Sequence, residues 1–199
     1  MRSPSNPNPA EPKRSLDATD FPQGRRRIAV IGNGGGGKTT LALAIADATK
    51  LPYHEVDRIQ YRAGWEVVDP TEVTDQLGTI MARDAWIIDG FGPWPTIERR
   101  ARLADTLIFV DHPLWVHCWW AAERQIAASH GQARLGGPDN CPLTHHTREM
   151  FQAIVHVHEQ IRPRLLELIE EVRDATEIVE IRSPEELDAW HERLANEMD

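Results

Sequence analysis

The chain has little of what several protein classes require. Cys118 and Cys141 are its only cysteines, too few for a disulfide framework, so a reducing compartment is expected. No run approaches the roughly 18 apolar residues that a membrane span needs, and the first residues show no signal-type apolar stretch. A cytoplasmic protein without a membrane segment is the expectation. Lysine is scarce: Lys13, Lys38 and Lys50 stand against 19 arginines. An excess of positive charge is lacking altogether, since 22 basic and 31 acidic residues leave a net −9. Duplex-DNA binders draw most of their affinity from neutralising phosphates, so duplex DNA is a poor candidate partner.

The acidity is local. Twelve acids and three bases lie between Glu167 and Asp199, and the residues before them carry 19 of each sign. Arginine spread through a neutral body suits bidentate capture of small phosphates or carboxylates. At 199 residues, 41% hydrophobic and 27% charged, the chain is sized for one globular domain. Residues 1–24 hold Pro4, Pro7, Pro9, Pro12 and Pro22 among Ser and Asn. They offer too little apolar surface to offset ordering entropy and are expected to form a disordered tail. Residues 25–199 then form the folded domain.

Apolar runs alternate with helical periods through that domain. Strands are expected at Ile28 to Ile31, Tyr53 to Asp57, Ala85 to Asp89, Thr106 to Val110 and Glu177 to Ile181. Helices are expected at Thr39 to Thr49, Thr71 to Arg83 with Thr71 as cap, Ile97 to Ala104 and Leu114 to Ser129. A long helix from about Arg148 to Val172, kinked at Pro163, and a closing one from Pro184 to Asn196 complete the pattern. Five strands alternating with helices predict an α/β fold, a parallel sheet covered on both faces.

Directly after the first strand stands Gly32-Asn33-Gly34-Gly35-Gly36-Gly37-Lys38-Thr39, then Thr40. This fits G-x-x-x-x-G-K-[ST], the P-loop, between a strand and a helix as its mechanism demands. Glycines let successive backbone N–H groups turn inward, and the helix N-terminus adds partial positive charge for phosphates. Lys38 is expected on the β/γ-phosphates and Thr39 on Mg²⁺. The base-reading Asn-Lys-x-Asp of G proteins is missing, and Asp75–Gly78 falls inside a predicted helix. Asp57 and Asp89 sit at the carboxyl ends of predicted strands, the edge where open α/β sheets bind ligands. Asp89 is the expected carboxylate for the Mg²⁺ shell, and Asp57 for a substrate hydroxyl or amine or for the metal itself.

These residues, with Leu51-Pro52-Tyr53-His54-Glu55-Val56-Asp57, Gly64-Trp65, Trp86 to Gly90, Ala104 to Asp111 and Cys141-Pro142, resemble the adenylate-kinase-like P-loop proteins called topology modulation proteins. The resemblance spans about residues 27–190. It implies a P-loop small-molecule or nucleotide kinase using ATP and Mg²⁺, with a core, an acceptor-binding segment around Trp65 and a lid. Asp89-Gly90-Phe91 is similar to the Asp-Gly-Phe-Pro-Arg segment of adenylate kinases. Gly92-Pro93 replace Pro-Arg here, so Arg99 or Arg100 is the expected substitute on the acceptor.

The polar stretch from His130, taken to about residue 147, is the expected lid. Arg124 and Arg134 are its candidates for the charge that develops on the transferred phosphoryl, with Arg148, Arg162 and Arg164 behind them. Arg182, after the fifth strand, is the expected base-side wall. His130, Cys141, His145 and His146 cluster without the spacing of a common zinc site. Trp115, Trp119 and Trp120 share one helix and are expected in the core. The rival reading is a regulatory NTP-binding ATPase acting through a partner protein or nucleic acid; the acceptor and the oligomeric state stay open.

Overall fold

A computed structural model describes residues 24–133 and 135–196, with Thr144 and His145 described by backbone only. The expected tail therefore lies almost wholly outside the described residues, as does Arg134. The chain runs β1 (Arg27–Gly32), α1 (Lys38–Thr49), β2 (Tyr53–Glu55), α2 (Val56–Gln60), β3 (Tyr61–Arg62) and β4 (Glu66–Val67). It continues through α3 (Pro70–Met81), β5 (Trp86–Asp89), α4 (Trp94–Leu103), β6 (Thr106–Val110) and α5 (Leu114–Ser129). Last come α6 (Thr147–His156), α7 (Arg162–Val172), β7 (Glu177–Ile181) and α8 (Pro184–Asn196).

The five long strands form one parallel sheet in the order β2-β5-β1-β6-β7. In β1 consecutive apolar side chains point to opposite faces and both faces are buried. Ala29 and Ile31 join Leu77, Ile97 and Leu165 of α3, α4 and α7 on one side. Ile28 and Val30 join Leu41 and Ile45 of α1 and Leu187 and Leu194 of α8 on the other. The chain leaves β1 toward β2 on one side, and the β5-to-β6 connection later crosses to the other. The carboxyl end of β1 is thus the switch point where such sheets bind ligands.

Local chemistry shifts several boundaries. The second strand stops at Glu55 because the chain turns into α2, whose Val56 is fully buried in the core. Asp57 accordingly lies in the first turn of α2 and not at a strand end. Asp69, rather than Thr71, caps α3, its carboxylate accepting from the Thr71 N–H at 2.8 Å with Pro70 in the first turn. The expected long helix breaks at Pro163 through a π-helical turn, Val157–Ile161, in which the Arg162 N–H reaches back five residues to the Val157 carbonyl. A short antiparallel hairpin, β3 with β4, surrounds Gly64-Trp65; with strands of two residues each, it leaves no periodic pattern in the sequence.

Trp115 and Trp119 are corrected outright: they are 68% and 61% exposed on the outer face of α5, and only Trp120 packs against the core. Their i, i+4 spacing puts them on one side of the helix, but Val116, His117 and Ala121 take the inner side.

One buried cation organises the loop after β5. Arg100, fully buried, donates to the Gly90 carbonyl at 2.9 Å, the Thr96 carbonyl at 3.3 Å and the Phe91 carbonyl. Burial pushes its guanidinium down to about 10, with the Asp89 carboxylate opposing that shift. Arg100→Met strands those carbonyls and should lower the unfolding free energy by about 3 kcal/mol. Arg99→Met, on the exposed side of α4, should change it by less than about 0.5 kcal/mol. Urea denaturation of both variants measures the difference.

Candidate active site

The P-loop closes around its own backbone. Asn33 is buried and bridges two elements: its amide donates to the Ile154 carbonyl of α6 at 2.8 Å and its side-chain oxygen accepts from the Gly34 N–H at 2.7 Å. Beneath the loop, the buried His117 of α5 meets the Gly34 carbonyl at 3.0 Å, which makes Nδ1 the protonated nitrogen. Gly35 has φ +71°, and a Cβ there would stand 2.4 Å from the His117 carbonyl oxygen. A side chain at that position would force the loop off its support.

Lys38 Nζ donates to the Asn33 carbonyl at 2.6 Å, which folds the ammonium across the mouth of the loop. Thr39 Oγ1 donates to Asp89 Oδ2 at 2.7 Å, and the Tyr53 hydroxyl approaches the same oxygen at 3.4 Å. Asp89 is 1% exposed. Burial pushes its carboxyl above the usual range, opposed by the Lys38 charge and the Thr39 hydrogen bond. The Tyr53 phenol is pushed up by burial and then by Asp89, Glu55 and Asp57, so three carboxylates surround it.

Glu55 is a site residue that the sequence did not single out. It sits opposite Asp89 in the β2–β5 register, 5% exposed. The Gly137 N–H donates to Glu55 Oε1 at 2.5 Å, and Arg58 pairs with Oε2 at 3.3 Å. The available signal was its place at the end of the second strand, which an expected strand running on to Asp57 hides. Through Glu55 the segment expected to be the lid is drawn over the P-loop. Gly136, at φ +73°, approaches so closely that a Cβ would stand 2.6 Å from Thr39 Cγ2.

Two cavities meet here. One, of about 260 Å³, runs from Gly36, Gly37 and Thr40 past α5 to Ala133, Leu135 and Leu143 of the lid. The other, of about 150 Å³, holds Glu55, Asp57, Asp89, Gly90 and Phe91. Gly35, Lys38, Thr39 and Arg124 line both. Arg124, half-buried on α5, is thus brought to the phosphate loop as expected, its guanidinium also near Met150 Sδ at 3.8 Å.

Other expected site residues lie elsewhere. Trp65 lines neither cavity; it clasps the lid, its N–H reaching Cys141 Sγ at 3.3 Å and its indole N–H the Pro142 carbonyl at 3.0 Å. Arg99 is turned toward Gly78 of α3, because Arg100 takes the inward position on α4. Arg182 lines neither cavity and pairs with Glu180 beside it. Arg162 holds Asp111 in a two-point ion pair at 2.6 and 2.7 Å, Arg164 stacks over Trp94 at 4.0 Å, and Arg148 is exposed. Among the described residues no three His, Cys, Asp or Glu side chains converge as a metal cluster, and no helix is long and apolar enough to cross a membrane.

No protein-family model matches the chain, and no curated protein matches it in sequence. Solved structures do match in fold. A shikimate kinase from Acinetobacter baumannii, in complex with shikimate, superposes with a TM-score of 0.53 at 16% identity over 87% of this chain and 93% of that one. A sugar kinase from Janibacter sp. gives 0.48 at 16% over 87% and 94%, and a gluconokinase from Sinorhizobium meliloti 0.45 at 17% over 87% and 95%. At these identities the likeness is one of fold: the chain has the α/β architecture with a parallel sheet that the strand–helix alternation predicts, and that architecture resembles the fold of these kinases.

The buried histidines make the fold acid-sensitive. Burial, then the Lys38 charge and His112, push His117 down to about 4, and burial also lowers His54 and His112. A histidine whose folded value lies below its unfolded 6.5 stabilises the fold fully above pH 6.5. That contribution is lost as pH falls toward 4, at about 1.4 kcal/mol per pH unit for each proton. His117→Asn keeps an N–H for the Gly34 carbonyl and should reduce this acid slope by one proton. Urea midpoints between pH 4 and 7 measure it, and an unchanged slope would count against His117 as a source.

Proposed function

We propose that the protein is an ATP-dependent phosphotransferase acting on a small hydroxyl-bearing acceptor. The observation that carries this reading is the pair of cavities sharing Gly35, Lys38, Thr39 and Arg124. A phosphate donor on one side and an acceptor on the other would meet at the P-loop cation, a hydroxyl and an arginine. The kinase-like fold supports the reading, and the sequence resemblance to the topology modulation proteins supports ATP as donor.

The donor phosphates would lie in the P-loop, held by its backbone N–H groups, by Lys38 and by the N-terminus of α1. Asp89 Oδ1 is buried with no hydrogen-bond partner among the described residues, and Thr39 Oγ1 lies beside the other carboxylate oxygen. This set of hard oxygens fits Mg²⁺, which Thr39 and Asp89 would hold and which, when bound, offsets charge on the β- and γ-phosphates. The acceptor oxygen forms its bond to the γ-phosphorus as the bond to the β,γ-bridging oxygen breaks. That oxygen keeps the electron pair and leaves with ADP, and the acceptor proton passes to the Asp57 carboxylate. Lys38 and Arg124 face the charge that spreads over the transferred group. Arg134, which lies outside the described residues, is expected from the sequence to share that task. The lid on Thr39 and Glu55 would exclude water and favour transfer over hydrolysis.

Lys38→Ala should lower ATP turnover about 10²- to 10³-fold by removing one preorganised cation from the transition state, with the fold retained by circular dichroism. ADP release is then followed for the wild-type protein with and without a panel of hydroxyl-bearing acceptors. Acceleration by at least one acceptor is expected. Turnover that no acceptor raises above basal hydrolysis would favour the regulatory ATPase instead.

A further inference from the structure

We infer that the acceptor carries no anionic group: it is a neutral or cationic polyhydroxylated compound, not a sugar acid and not a nucleoside monophosphate. This rests on the phosphotransferase reading and concerns the same cavity. Three of the residues lining the acceptor cavity are carboxylates, Glu55, Asp57 and Asp89. Its two cations among the described residues, Lys38 and Arg124, also line the donor cavity and would face the phosphates there.

Recognition of an acceptor carboxylate or phosphate needs a dedicated arginine or lysine, best as a two-point pair. The arginines near enough to be considered are committed elsewhere. Arg100 spends its donors on the Gly90, Phe91 and Thr96 carbonyls. Arg58 lies between Glu55 and Asp139, at 3.3 Å from each. Arg162 is held by Asp111. Among the described residues that line the acceptor cavity, no cation is left over for an anionic acceptor once the donor is bound. The three carboxylates line one cavity of about 150 Å³, with Glu55 opposite Asp89 in the β2–β5 register. Asp89 would hold Mg²⁺, and a negative charge brought beside Glu55 and Asp57 would be repelled, whereas hydroxyl and ammonium groups are the donors that carboxylates accept from. Phe91 supplies an apolar wall for the carbon face of a ring.

The experiment pairs acceptors that differ by one anionic group: an aldose against its aldonic acid, a nucleoside against its 5′-monophosphate, and an amino sugar as the cationic arm. Wild-type protein with ATP and Mg²⁺ is expected to use the neutral or cationic member of a pair with at least tenfold higher kcat/KM. Asp57→Asn should lose turnover on the neutral acceptor while narrowing the gap in KM between the pair members. Binding of a fluorescent ATP analogue at wild-type strength would show that this variant is folded. Preferential phosphorylation of the sugar acid or the monophosphate would overturn the inference and leave the kinase reading standing. Phosphorylation of neither class, with ATP bound, would overturn both.

Discussion

The site is arranged around a carboxylate in a place where burial opposes its charge. Asp89 ends β5 almost without solvent contact, and its carboxylate meets partners from three directions. Lys38 arrives from the P-loop, Thr39 from the first turn of α1, and the buried Arg100 from α4. None of these is near Asp89 in sequence except Arg100, so the charge balance ties the central strand, the phosphate loop and the β5–α4 connection into one electrostatic unit.

The same economy of space governs the backbone. Glycine at positions 35 and 136 is required by contact from opposite sides: His117 presses up from α5, and Thr39 and Glu55 meet the lid from below. The phosphate loop is therefore layered between a helix and a lid, with Asn33 pinning its start to α6. The π-helical turn before Pro163 lies in that layer too, since Val157 and His158 share a small cavity with Asn33 and His117. Such turns insert one extra residue and change the direction in which the next helix presents its side chains, here bringing Arg162 to Asp111.

Much of this was legible in the sequence, for reasons that differ by residue. The parallel sheet is implied by apolar runs too short for anything but buried strands, Lys38 and Thr39 by a motif whose spacing is the mechanism, and Asp89 by its place at the end of such a strand. Arg124 was legible as an arginine beside a polar glycine-rich stretch. Glu55 was not, because strand ends depend on where Val56 finds a core to enter, a tertiary fact. Arg99 and Arg100 are neighbours whose roles are set by helix phase, and nothing local says which of two arginines faces in. Trp65, Trp115 and Trp119 misled for a common reason: tryptophan's bulk suggests burial or stacking, yet lid contacts and an open helix face hold them instead. Charge was informative only by region, since nine of the acidic residues from Glu167 onward belong to α7, β7 and α8, and none of the described ones lines either cavity.

The hairpin of β3 and β4 is fastened to the lid at several points. Gly64 N–H reaches the Asn140 carbonyl at 3.0 Å, Trp65 holds Cys141 and Pro142, and Cys141 Sγ returns to the Arg62 carbonyl at 3.3 Å. Hairpin and segment are thus joined by four contacts, so a displacement of either one must break them or carry the other along.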